Sequence, residues 1–178
     1  MRHILTNSFI GALKCAAGFL SVLVFRLVSP IIGLSNISPL MATEFAGAKA
    51  YGPLVGGLYG CASIMLLDIM VGQVGAWTVV TGLTYGAVGV WGAYFLQRRT
   101  ATARNFVIAS VFGTLLFDVI TGVLMGPILN SQPWREAVVG QIPFTFRHLS
   151  GNIFFAGTLA PWFYRSVMTN PRWSLSRI

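Results

Sequence analysis

The sequence predicts an all-α, polytopic integral membrane protein: a single domain over residues 1–178 with six transmembrane helices, the second one short. Hydrophobic residues make up 55% of the chain and only 9% of its residues are charged, whereas soluble domains carry about 25%. The mean hydropathy is +0.74. The apolar residues also fall into stretches near the roughly 20 residues that cross a hydrocarbon core. This composition excludes a soluble enzyme, a disordered chain and a disulfide-stapled secreted domain.

Turn signals divide the chain into six apolar stretches, over 9–28, 37–51, 54–72, 77–97, 106–124 and 138–164. The first ends before Ser29-Pro30. The second is short, and Gly52-Pro53 separates it from the third because proline cannot continue a helix. A glycine-rich turn at 72–75 precedes the fourth stretch, and Arg98-Arg99 follows it. Gly126-Pro127 closes the fifth, and a polar loop leads into the sixth.

The distribution of lysine and arginine predicts that both termini lie in the cytoplasm. With the N-terminus inside, the inner segments carry eight basic residues and the outer loops carry only Arg135; the eight are Arg2, Lys49, Arg98, Arg99, Arg104, Arg165, Arg172 and Arg177. Cytoplasmic segments are enriched in these residues. Because the arginines lie at chain ends and in one loop, they indicate membrane topology and contact with anionic lipid rather than nucleic-acid binding.

Ionisable residues inside membrane segments are costly and are therefore candidates for function. Glu44, Asp68 and Asp118 are such residues, as is Arg147 in the sixth stretch. Two interpretations remain open for Asp68 and Asp118: they line an outward-facing pocket, or they cap a helix or form an ion pair that holds two helices together. Lys14 and Arg26 lie near helix ends, where their side chains can reach the interface.

The sixth stretch places Phe144, His148 and Asn152 at spacings of four residues, on one face of a helix. A face with an aromatic ring and two hydrogen-bonding groups suits a small heterocyclic ligand. The alternative is a polar network between helices in which Arg147 pairs with an acid.

No enzyme signature is present. The sequence lacks HExxH, GxSxG and P-loop motifs, and its two histidines have no cysteine or acid at metal-ligand spacing. We therefore expect no catalytic residue, no metal site and no cofactor. Since no ATPase is encoded, active transport would need a partner or an ion gradient.

Small residues occur at four-residue spacing in the first stretch: Gly11 with Cys15, and Ala12 with Ala16. This pattern allows close approach of another helix in lipid. It is compatible with a docking surface for a partner and equally with packing inside the protein.

Several short motifs resemble those of the substrate-binding S components of energy-coupling factor (ECF) transporters. The similar features are the Ala12-x-x-x-Ala16 pair, the Pro53–Gly57 segment, Asp68 at a helix end and Trp77-Thr78 opening the next helix. Two further segments, 36–39 and 142–152, resemble a related uncharacterised bacterial membrane family. The resemblance implies a six-helix protein of the bacterial inner membrane that captures a vitamin or similar micronutrient from outside. It also implies docking, through helix 1, onto a transmembrane coupling subunit driven by two ATPases.

The sequence therefore predicts an ECF-type S component, and two alternatives remain: a non-transport membrane scaffold of the cell envelope, and a self-sufficient proton-coupled carrier. The expected ligand contacts are Trp77, Asp118, Trp134, Phe144, Arg147, His148 and Asn152, together with Glu44 and Asp68. The expected docking residues are Gly11, Ala12, Cys15 and Ala16.

Overall fold

The structure, a computed structural model, describes residues 2–170, with side chains described from residue 10 onward. Within this part of the chain every regular element is a helix: α1 Arg2–Val28, α2 Leu40–Tyr51, α3 Pro53–Met70, α4 Ala76–Gln97, α5 Ala103–Asp118, α6 Met125–Asn130 and α7 Trp134–Phe163. A π-helical segment, Val119–Leu124, joins α5 to α6 in one continuous rod, and a second, Tyr164–Met168, extends α7. Counted as rods, six helices match the six predicted stretches, and the all-helical prediction is confirmed.

Four helical stretches in the described residues are long and apolar enough to cross a membrane: 10–28, 53–70, 76–97 and 103–130. Helix α2 has 12 residues, about 18 Å at 1.5 Å per residue, which is too short to span the hydrocarbon core. Helix α7 has the length, with 30 residues, but is more polar. Six spans and cytoplasmic termini remain predictions, and Arg172 and Arg177 lie outside the described residues.

Three helices extend beyond their predicted ends: α1, which begins at Arg2 instead of residue 9, the fifth rod and α7. Helix α7 begins at Trp134, four residues before the expected start, with Glu136 in its first turn; a negative charge there favours the helix N-terminus. The fifth rod continues to Asn130 because the π-helical segment carries it past Leu124. The predicted end of the fifth rod is too early because Gly126-Pro127 indicates a helix stop, whereas the helix continues through it. The predicted start of α7 is too late because its first turn is more polar than the apolar stretch that follows.

Helix α2 occupies the centre of the bundle, and all its residues from Leu40 to Ala48 are buried. Beside it, α3 and α4 approach at their glycines. A Cβ added to Gly56 would lie 2.6 Å from the carbonyl oxygen of Gly89, and one added to Gly60 would lie 2.7 Å from that of Tyr85. Only glycine permits backbones this close, so these positions fix the α3–α4 pair that forms one wall of the cavity described below.

Side-chain donors tie the helices together at one end of the bundle, which we call the basic end: the C-terminal ends of α2, α4 and α7 and the start of α5. Lys49 Nζ donates to the carbonyl oxygens of Leu96 (2.7 Å) and Arg99 (2.6 Å). Arg165 Nη2 donates to the carbonyl oxygen of Ala101 at 2.8 Å. The opposite end, where α1 and α3 finish and α4 and α7 begin, contains the cavity.

Candidate ligand-binding site

A cavity of about 760 Å³ lies at the end of the bundle opposite the basic end. Every helix except α2 contributes to its wall, together with the α1–α2 connection and the turns after α3 and α6. Ligand pockets usually enclose about 300–1,000 Å³. The cavity therefore has the size for one small organic molecule.

One wall of the cavity is aromatic. The rings of Tyr85 and Phe117 lie 4.3 Å apart, measured between centroids. His148 makes edge contacts with Phe117 (5.7 Å) and with Phe144 (5.5 Å). All four side chains line the cavity. Trp77, in the first turn of α4, lines it as well. Such a wall suits a flat, conjugated ring.

Both ring nitrogens of His148 are held by the protein. Nδ1 lies 2.7 Å from Asp118 Oδ1, and Nε2 lies 3.1 Å from the hydroxyl of Tyr85. Because a carboxylate only accepts hydrogen bonds, Nδ1 carries the proton. In the neutral imidazole Nε2 then accepts from the Tyr85 hydroxyl. His148 consequently offers a ligand its ring surface and edge, and its role is to fix Tyr85 in the wall.

The π-helical segment explains how the fifth rod serves this site. Asp118 is the last residue of α5, and Thr121 follows within the segment. Pro127, one turn later, has no N–H to donate to an i−4 carbonyl, and such gaps favour local changes of helical register. Asp118, directly before the wider turn, is paired with His148, and Thr121, within it, lines the cavity. Insertions of this kind are frequent at functional sites.

The rest of the wall is mixed: Ile37, Ile64, Leu67 and Val71 are apolar, and most of the other residues are polar. Hydroxyl and amide side chains come from several elements: Ser29, Ser35, Asn36, Ser38, Gln73, Thr81, Thr121, Asn130, Gln132 and Gln141. Two charged side chains, Arg26 and Asp68, also line the cavity. The cavity thus combines an aromatic wall with many neutral hydrogen-bonding groups.

Four of the predicted ligand contacts line the cavity: Asp68, Trp77, Phe144 and His148. Asp118 is 1% exposed and lies behind His148 as its hydrogen-bond partner. The other four lie away from the cavity wall.

Of those four, Asn152 is buried one turn further along α7, where its Nδ2 donates to Thr114 Oγ1 at 2.8 Å. Glu44 is fully buried on α2, with its carboxyl group against Gly60 and Gly89. Trp134 is 56% exposed, and Arg147 is exposed on the outer face of α7. The structure therefore separates the predicted set into a cavity group, a buried supporting group and an exposed group.

The sequence interpretation identified Trp77 but missed Thr81 and Tyr85 on the same helix. Trp77, Thr81 and Tyr85 are spaced by four residues on α4 and all line the cavity, the same pattern that singled out Phe144 and His148. That periodicity was available in the sequence. Arg26, interpreted as reaching the interface, also turns inward, and only the tertiary structure shows this.

The predicted docking residues of α1 face in two directions. Ala12 and Ala16 are exposed. Gly11 instead faces the ring of Tyr51, since an added Cβ would lie 3.0 Å from its Cε1, and Cys15 Sγ lies 3.7 Å from the Cβ position of Gly47. The glycine–cysteine pair thus packs inside the protein, and the alanine pair presents a small-residue surface.

The fold is that of a helical integral membrane protein, and the cavity at one end has the size for one small molecule. A family model described as ECF-type riboflavin transporter, S component, matches residues 3–174, nearly the whole chain. The chain belongs to this family, and its function is that of the substrate-binding S component of an ECF transporter. The scaffold and proton-coupled carrier alternatives are not favoured. No curated protein and no solved structure matches the chain.

Proposed function

We propose that the cavity binds riboflavin and that the protein delivers it for uptake across the bacterial inner membrane. The observation that carries this proposal is the combination of aromatic side chains with many hydroxyl and amide side chains in one cavity of about 760 Å³. Riboflavin pairs a flat tricyclic ring with a polyhydroxylated ribityl chain. The ring suits Tyr85, Phe117 and Phe144, and the chain suits the hydroxyl and amide groups. The description of the family supports the same ligand.

The charge distribution supports capture from outside the cell. Lys49, Arg99 and Arg165 lie at the basic end, together with Arg98 directly after α4 and Arg104 in the first turn of α5. Basic residues favour the cytoplasmic side. The cavity lies at the opposite end and would then open outwards.

Riboflavin binding is tested with the purified protein in detergent, by quenching of flavin fluorescence on titration. Phe144 lines the cavity, whereas Phe146, two residues on, is 73% exposed. We expect Phe144→Ala to weaken riboflavin binding at least tenfold, about 1.4 kcal/mol, because it removes part of the aromatic wall. Phe146→Ala is the matched control and should bind like the wild type. Absence of binding by the wild type, or copurification of a different small molecule found by mass spectrometry, would refute the proposal.

We further propose that Ala12 and Ala16 dock onto the transmembrane coupling subunit of an ECF module that contains two ATPases. Both alanines are exposed, and small residues let helices approach closely in lipid. Replacing both with leucine should abolish copurification with the module and riboflavin uptake, while riboflavin binding to the isolated protein is retained. Val24→Leu changes an exposed position on α1 near the cavity end and serves as control. Retained copurification of the double variant would remove the alanine pair from the docking surface.

A further inference from the structure

Two side chains of opposite charge face the same cavity from different helices. Arg26 comes from the last turns of α1, and Asp68 comes from the last turn of α3; both line the cavity. They interact electrostatically, but they are not in contact: among the described residues, the ion pair within 4.0 Å joins His148 and Asp118. The cavity therefore holds a separated donor and acceptor.

The guanidinium of Arg26 is incompletely paired. Its Nη1 is buried and has no hydrogen-bond partner among the described residues. Leaving a buried donor unpaired is unfavourable, more so for a charged group. Because Arg26 lines the cavity, a ligand oxygen there can draw the guanidinium towards it and remove that cost, so the cavity favours a ligand with an acceptor beside Arg26.

The carboxylate of Asp68 restricts which hydrogen-bond acceptor a ligand can place beside Arg26. A phosphate or carboxylate at Arg26 would also meet the like charge of Asp68 in the same cavity, and such juxtaposition disfavours a ligand. A neutral edge with a carbonyl group beside an N–H satisfies both side chains, because the carbonyl accepts from Arg26 and the N–H donates to Asp68. The pyrimidine side of the riboflavin ring has such an edge.

We propose that Arg26 and Asp68 together recognise the carbonyl–imide edge of the flavin ring. Arg26 donates from its guanidinium to a ring carbonyl oxygen, and the carboxylate of Asp68 accepts from the neighbouring ring N–H. This assignment rests on the proposed function, since it specifies how riboflavin is oriented in the cavity. The imide edge then points towards α1 and α3, and the aromatic wall from α4, α5 and α7 contacts the ring.

The experiment compares riboflavin, 3-methylriboflavin and riboflavin 5′-phosphate by fluorescence titration of the full chain. In 3-methylriboflavin the imide N–H is replaced by a methyl group. We expect the wild type to prefer riboflavin over the methylated flavin at least tenfold. Asp68→Ala should reduce this preference to less than about threefold. Arg26→Met should weaken binding of both flavins at least tenfold, and Arg147→Met, which removes an exposed arginine away from the cavity, should change neither.

The outcomes separate the two proposals. No riboflavin binding by the wild type overturns the proposed function and this assignment with it. Tight riboflavin binding with equal affinity for 3-methylriboflavin overturns the assignment alone, and this comparison needs no variant to fold. Tighter binding of the phosphorylated flavin that disappears in Arg26→Met would assign Arg26 to a phosphate and overturn the paired edge as well.

Discussion

Replacing His148 with alanine should destabilise the protein chiefly through the partners that it leaves behind. Asp118 Oδ2 has no partner among the described residues, and Oδ1 is paired with His148 at 2.7 Å. Without the imidazole, Asp118, which is 1% exposed, loses the hydrogen-bond partner of its carboxyl group. Removing one member of a buried pair costs about 3–5 kcal/mol. The Tyr85 hydroxyl also loses its partner, which adds about 1 kcal/mol or more.

The magnitude can be measured by thermal unfolding in detergent, followed by intrinsic tryptophan fluorescence. A loss of about 4 kcal/mol corresponds to a fall in Tm of about 8–16 °C for a chain of this size. The double variant His148→Ala/Asp118→Ala also removes the carboxyl group that His148→Ala leaves without a hydrogen-bond partner. We expect its Tm to be no lower than that of His148→Ala alone, so that the two changes couple by about 2 kcal/mol.

Ser150→Ala is the matched control. Ser150 is exposed on the same helix, and its hydroxyl donates to the carbonyl oxygen of Phe146, one turn earlier in that helix. Its Tm should stay within about 2 °C of the wild type, since surface substitutions usually change stability by less than about 0.5 kcal/mol. A small effect of His148→Ala, or strictly additive losses in the double variant, would show that the Asp118–His148–Tyr85 chain does not hold the cavity wall together.

Two further predictions concern packing and topology. Gly60→Ala should cost about 1–3 kcal/mol in unfolding free energy, because the added Cβ would lie 2.7 Å from the Tyr85 carbonyl oxygen; Gly140→Ala, with no atom within 4 Å of its Cβ position, should be neutral or slightly stabilising. Equal Tm values for the two variants would contradict the close α3–α4 approach. A reporter active only in the cytoplasm, fused after Ile178, should be active because of the basic-residue distribution. Activity only of a reporter that requires export would refute the six-helix topology.

The sequence predicted the helices well because membrane segments have a strong signal of their own. Gly52-Pro53 separated α2 from α3, and the structure has α2 ending at Tyr51 and α3 beginning at Pro53. The end at Asn130 was missed because Gly126-Pro127 indicated a turn although the helix continues through this pair, and the start at Trp134 was missed because the first turn of α7 is polar. The central position of α2 was also unpredictable, because the same apolar residue types are expected in a helix that faces lipid and in one that packs against protein.

The site was predicted in part, and the errors have a common cause. Helical periodicity identified the face shared by Phe144 and His148, but it says nothing about how far along that face a cavity extends. Asn152 therefore shares the face and still lies beyond the cavity, paired with Thr114. Arg147 is offset by about 100° from its neighbour, and only packing decides that this direction is outward. Arg26 turns inward for the same reason.

At the basic end, orientation of the chain in the membrane and hydrogen bonding between helices depend on the same residue, although experiments on topology usually treat them as separate. Lys49 counts among the charges that orient the chain, and it is also the donor for two carbonyl oxygens, those of Leu96 and Arg99, at the C-terminal end of α4. Neutralising Lys49 would remove an orienting charge and would also leave these two carbonyl oxygens without that donor. If the protein then misassembled, either loss could be the cause. Arg98 and Arg104 make no such contacts within the described residues. Charge-reversal studies of orientation should therefore start with these two arginines, where charge alone is changed.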